Sequence, residues 1–182
     1  MSTDPFFLRP ELTSIITETP EQTTWDLPAM RAGGDVLLAN PHEADNKVDV
    51  TARGRTFIPD GLRDNAPILV SIHGGGYVAG RAAFDDAKND ELATRFGAIV
   101  LSPEYRLAPE FPFPIPVDDC ISALAEALDR FGYERPIFVL GDSAGAGLAY
   151  SMVCRLYGLV SPVLQDEETM ARYEQISSMI KG

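Results

Sequence analysis

The sequence predicts an α/β fold built on a mostly parallel sheet with helices on both faces. Three observations carry that expectation. Ile68-Leu69-Val70-Ser71-Ile72 and Ile99-Val100-Leu101 are continuous apolar runs, the pattern of strands covered on both sides. Helix-compatible segments alternate with such runs from residue 68 to residue 157, as parallel strands with crossover helices require. A third apolar run, Ile137 to Leu140, leads straight into Gly141-Asp142-Ser143-Ala144-Gly145 with a helix-compatible segment behind it. This strand–turn–helix is the centre around which the chain is organised.

Taken in order, residues 1–46 are rich in Pro, Thr, Asp and Glu, with short apolar clusters such as Phe6-Phe7-Leu8 and Val36-Leu37-Leu38 and no strong period. They are expected to form an N-terminal arm, irregular or partly helical, ahead of a core over 47–160. Val48, Val50 and Ala52 alternate with Asp49, Thr51 and Arg53, which marks a half-exposed strand. Thr56 to Pro59 forms a second strand, and Asp60-Gly61 and Asn65-Ala66-Pro67 supply turns. After the Ile68–Ile72 strand, a helix runs from Ala82 to Phe96 with Gly97 as its C-cap. After the Ile99–Leu101 strand, Val117, Ile121, Leu124, Leu128 and Phe131 line one face of a helix over 117–131. Asp118 and Asp119 sit in its first turn and Gly132 lies just past its end. The helix behind Ser143 is expected from Ala146 to Tyr157. Met170, Tyr173, Ile176 and Ile180 give 161–182 the apolar stripe of a tail helix.

A chain of 182 residues is long enough for one domain with a real core. Fifteen basic against 27 acidic residues give a net charge of −12, which argues against nucleic acid or an anionic membrane as partner. No segment approaches a membrane span, and the N-terminus has no apolar leader core. Cys120 and Cys154 sit in helix-like segments without metal-ligand spacing. They read as buried thiols of a reducing compartment, a disulfide between them remaining the alternative. No metal is expected. The whole describes a soluble, acidic, cytoplasmic α/β domain.

Three motifs carry the chemistry. In G-D-S-A-G, a sharp turn forces the Ser143 backbone into a strained conformation, and bulkier residues at Gly141 and Gly145 would collide across it. The hydroxyl is then pushed out at the top of the sheet, with helix amides behind it to receive an oxyanion. The alternative is a plain strand–loop–helix with an incidental serine. His73-Gly74-Gly75-Gly76-Tyr77 directly follows the Ile68–Ile72 strand, and its bare N–H groups can approach a substrate oxygen closely. The alternative there is a flexible glycine loop. In Tyr105-Arg106-Leu107-Ala108-Pro109-Glu110 the reading is architectural: Arg106 pairs with Glu110 while the Pro-rich run 111–116 holds an extended segment.

H-G-G-G-Y, then Y-R-L-A-P-E, then G-D-S-A-G, in that order over residues 45–157, resemble the hormone-sensitive-lipase-like carboxylesterases of the α/β-hydrolase fold. The resemblance implies an α/β-hydrolase sandwich and hydrolysis of a small carboxylic ester. It makes Ser143 the nucleophile and the amides of Gly74, Gly75 and Ala144 the oxyanion hole. Tyr77 lines the substrate pocket, and His73 orients the oxyanion loop. No metal or organic cofactor is implied.

The sequence also departs from that pattern. The fold's triad runs Ser, Asp or Glu, then His along the chain, and no histidine follows Ser143. His42 lies in a polar loop, expected to be solvated, and neither it nor His73 is expected to serve as the base. Pro162-Val163-Leu164-Gln165-Asp166-Glu167 resembles the family's D-x-L-x-D-E segment, with Pro162 in the place of the triad acid. On this reading the sheet is incomplete in its C-terminal half, the chain being truncated or internally deleted. The elbow strand then lies at an exposed edge able to self-associate, partly covered by the tail helix. Three functions stay open: a serine hydrolase in shortened form, a catalytically dead ligand-binding pseudoenzyme, and a truncated product without function.

Overall fold

A computed structural model describes residues 26–37, 42–159 and 167–181. Among these residues five strands form one sheet: β1 (Lys47–Thr51), β2 (Gly54–Ile58), β3 (Ile68–Ile72), β4 (Ile99–Pro103) and β5 (Ile137–Gly141). Their order is β1-β2-β4-β3-β5. β1 and β2 join antiparallel at one side, whereas β4, β3 and β5 run parallel. The helices are α1 (Leu27–Leu37), α2 (Asp86–Phe96), α3 (Ile115–Phe131), α4 (Ala144–Leu156) and α5 (Glu167–Met179).

The two faces of the sheet follow from the two-residue period of a strand. On β3, Ile68, Val70 and Ile72 join a core with Val117, Ile121, Leu124 and Leu128 of α3, Leu148 and Met152 of α4, and Tyr173 and Ile176 of α5. Leu69 points the other way, into a smaller core with Phe57, Val100 and Ala93 of α2. Helices therefore cover both faces, and all five residues of β3 are buried. Each large aliphatic side chain so buried contributes about 1.5–3 kcal/mol.

Boundaries shift where hydrogen bonding overrides the apolar pattern. β2 starts at Gly54 rather than Thr56, because its ladders pair Gly54 with Thr51 on one side and with Pro103 on the other. The helix expected from Ala82 opens as a 3₁₀ turn over Ala82–Asp85 before α2 begins. Gly97 ends α2 in the left-handed region, with φ 55°. Cys120 is buried, Cys154 is half-buried, and both are free thiols. No helix among the described residues is long and apolar enough to cross a membrane.

Among the described residues β5 is the last strand of the sheet. Beyond it, α5 packs on α4 and delivers Ile180 to a single parallel bridge with Ile137; the Lys181 N–H donates to the Ile137 carbonyl at 2.9 Å. Further along β5, Phe138 remains 42% exposed. The segment compared with D-x-L-x-D-E lies outside the described residues, except for Glu167 at the start of α5.

Candidate active site

Ser143 stands between β5 and α4 with φ 52° and ψ −118°, a region that a residue with a Cβ enters only under constraint from its surroundings. Two glycines supply the constraint, for different reasons. A Cβ on Gly141 would strike the Gly145 carbonyl across the turn. A Cβ on Gly145 would strike the Ile72 carbonyl, so this glycine is required by the neighbouring strand β3 rather than by the turn itself. The side chain of Ser143 is exposed and does not cap α4. Gly145 N–H bonds the Asp142 carbonyl at 2.8 Å and Ala146 N–H the Ser143 carbonyl at 3.0 Å, while Ala144 N–H has no protein acceptor among the described residues.

The turn after β3 lies directly against this elbow. A Cβ on Gly74 would come within 3.0 Å of the Asp142 carbonyl and 3.5 Å of Ser143 Cβ. Gly75 has φ 128° and a Cβ there would strike the Ala79 carbonyl; its own carbonyl accepts from Val78 N–H at 3.1 Å and Ala79 N–H at 2.9 Å. The N–H groups of Gly74 and Gly75 have no protein acceptor among the described residues either. Tyr77, at φ 67°, is exposed, and its hydroxyl lies over Gly147 of α4, where a Cβ would run into it.

His73 holds the turn from beneath. Its ring is buried and stacked on Tyr105 with centroids 4.1 Å apart and 12° between planes. Nδ1 lies 2.8 Å from the Gly74 carbonyl; a carbonyl only accepts, so Nδ1 carries the proton. Burial depresses the pKa of the imidazole, against the Gly74 bond and the charges of Glu104 and Asp85. The Tyr105 hydroxyl, whose own pKa burial raises, donates to the His73 carbonyl at 2.9 Å.

Sequence reasoning missed one contact of the elbow. The Lys88 ammonium on α2 bonds the carboxylate of Asp142, the residue before Ser143, and that of Asp85 at 3.0 Å. Burial lowers the Lys88 pKa, but the two carboxylates outweigh it and hold the ammonium above its ordinary value. Lys88 is therefore no proton acceptor at neutral pH. Nothing in the sequence pairs residues 88 and 142.

Two expected arrangements are replaced. His42 is not simply solvated: its Nε2 meets Asp90 Oδ2 at 2.9 Å, away from any bond to Ser143. Asp90 also accepts from the backbone N–H groups of Asp45 and Asn46, and although burial opposes it, these bonds pull its pKa down to about 2. Arg106 does not pair with Glu110. It forks onto Asp119 at 2.8 and 2.9 Å, because α3 presents that carboxylate squarely, and Glu110 pairs with Arg31 instead. Among the described residues no side chain hydrogen-bonds the Ser143 hydroxyl.

Comparison with known proteins shows the family to which the chain belongs. The profile of the alpha/beta hydrolase fold matches residues 69–172, more than half of the chain. The carboxylesterase NlhH of Mycobacterium tuberculosis is 39% identical over 102 residues, 54% of this chain and 32% of its own. Among solved structures, a bacterial heroin esterase superposes with a TM-score of 0.64 at 37% identity, over 84% of this chain and 55% of that one. A hormone-sensitive lipase from a metagenome library gives 0.64 at 31% identity, over 84% and 52%. The chain thus spans about half the length of the solved structures it matches.

Proposed function

The chain belongs to the α/β-hydrolase fold, among the hormone-sensitive-lipase-like carboxylesterases, and from that premise we propose that its site is built for the hydrolysis of a small carboxylic ester. The observation that carries the reading is the group of uncommitted amides of Gly74, Gly75 and Ala144 beside an exposed serine under backbone strain. Ser143 Oγ attacks the ester carbonyl, its proton passing through solvent water to the leaving oxygen, while the electron pair of the C=O bond moves onto the carbonyl oxygen. The three amides receive that oxyanion; a single donor of this kind is worth about 10²–10³ in rate. Collapse expels the alcohol and leaves an acyl-serine, which water hydrolyses to the acid and free Ser143. Tyr77 lines the pocket for the acyl or alcohol group, and His73 fixes the carbonyl of Gly74 so that the amides keep their direction.

That no described side chain bonds the Ser143 hydroxyl favours a second reading, ligand binding at the same amides without turnover. Labelling separates the two readings. A fluorophosphonate should modify the purified chain slowly and at Ser143 alone, with no modification of Ser143→Ala. A chain that never labels, but binds a carboxylate product or ester analogue with protection of the Gly74 and Gly75 amides from exchange, would overturn the hydrolase reading in favour of binding.

A further inference from the structure

Tyr77 sits at positive φ in the oxyanion turn, and its surroundings must hold it there. Its own carbonyl accepts from Ala108 N–H at 2.9 Å. The next carbonyl, Val78, accepts from Arg31 Nε at 2.9 Å, and the Ala108 carbonyl accepts from Arg31 Nη2 at 3.0 Å. These bonds close a ring through Arg31, Val78, Tyr77 and Ala108. The guanidinium is anchored in turn by a bidentate pair with Glu110, at 2.9 and 2.8 Å. Arg31 comes from α1, whose start is set by Asp26, with its carboxylate on Ala29 N–H at 3.0 Å. One side chain of α1 therefore ties two segments at the mouth of the site, the turn at Val78 and the stretch 108–110. Only a planar fork with several donors can do so; an ammonium on a flexible stem serves one at a time. The Arg31 bond draws the pKa of Glu110 down to about 2, so the anchor stays charged at all ordinary pH values.

We propose that Arg31 is a positioning residue for the oxyanion turn: by bonding Val78, Ala108 and Glu110 together it makes the seating of α1 set the conformation of Gly74–Tyr77. This rests on the hydrolase reading for its functional consequence and on geometry alone for its structural one. The test uses the full chain with Arg31→Gln, Arg31→Lys and Glu110→Gln, and two readouts. Hydrogen exchange follows the amides of Val78, Ala79 and Ala108, and fluorophosphonate labelling follows Ser143. Loss of a charge-assisted fork of this kind is worth about tenfold. Arg31→Gln should therefore speed exchange of those three amides about tenfold and slow labelling about tenfold, while β3 and β4 keep their protection. Arg31→Lys should fall between it and the parent. Should Arg31→Gln not fold, Glu110→Gln, which keeps both carbonyl bonds and loses the anchor, should shift both readouts a few-fold in the same direction. Exchange and labelling at parent values, with α1 alone losing protection, would overturn the proposal and leave Arg31 as a mere anchor of its helix. A parent chain that does not label at all would sink the hydrolase reading, and the exchange rates would still decide for or against the clamp.

Discussion

The two flanks of β5 are built to different degrees. Toward β3, its five residues lie in continuous parallel register, from Ile68↔Ile137 to Ile72↔Gly141, and the turn beyond β3 lays Gly74 against Ser143. Toward the other flank, the tail contributes one bridge at Ile137. The contrast separates two requirements of the proposed ester hydrolysis at Ser143. Stabilising an oxyanion needs backbone amides, and β3, β5 and the turns they end in supply these locally. Activating Ser143 needs a basic side chain brought to the hydroxyl from another part of the chain, and the described residues supply none. On the proposed reading the first requirement falls to the flank paired with β3 along all five residues, and the second to the flank where the described residues give one bridge.

The largest effect that follows is catalytic. Loss of the base in a serine-hydrolase triad costs on the order of 10⁶ in kcat, about 8 kcal/mol of barrier, leaving about 10³–10⁴ over water from the oxyanion hole and binding. The chain should accordingly turn over p-nitrophenyl butyrate barely above background. Robust turnover abolished by Ser143→Ala would break the contrast between the flanks, and its further loss in His42→Ala would identify His42 as the base.

Next comes the joint between β3 and the elbow. Gly145→Ala drives a Cβ into the Ile72 carbonyl, a backbone group that cannot swing aside, and should cost about 3 kcal/mol in urea unfolding. A cost below about 0.5 kcal/mol, the range of an ordinary surface change, would show that the elbow is not wedged against β3 as described.

A smaller effect concerns pH. Burial lowers the pKa of His73, so between that value and the ordinary one of 6.5 the unfolded chain binds a proton that the folded chain does not. Stability should therefore be full above about pH 6.5 and fall as the pH drops through this window, by up to about 1.4 kcal/mol per unit. His73→Asn should flatten that slope in urea titrations at several pH values; an unchanged slope would place the acid sensitivity elsewhere.

The smallest energetic change is expected at the open flank. Phe138→Lys alters an exposed side chain and should shift stability by less than about 0.5 kcal/mol. Sedimentation should nevertheless show the parent self-associating through this edge and the variant doing so less, because a lysine on an edge strand opposes strand pairing. A parent that stays monomeric at high concentration would show that Ile180 already closes the edge.

The sequence by itself determined the parts governed by neighbours along the chain. Ile68–Ile72 forms β3 with the expected bounds, since a run without polar interruption has no face to leave in water. Val117, Ile121, Leu124 and Leu128 are all buried, as their helical spacing requires. The strained serine was legible because a Gly-x-Ser-x-Gly turn between strand and helix leaves its backbone few alternatives. Of residues 1–46, in which the arm was expected, 26–37 and 42–46 are described and hold the helix α1, while 1–25 and 38–41 lie outside the described residues. Tertiary structure alone decided the pairings: Arg106 with Asp119, Glu110 with Arg31, Lys88 with Asp142, and Gly145 against Ile72. A charged side chain on a long stem reaches whichever opposite charge the fold brings within about 4 Å. Arg31 and Glu110 are separated by 79 residues and Lys88 and Asp142 by 54, so which charges meet depends on how the sheet orders its strands and where each helix seats, not on local pattern.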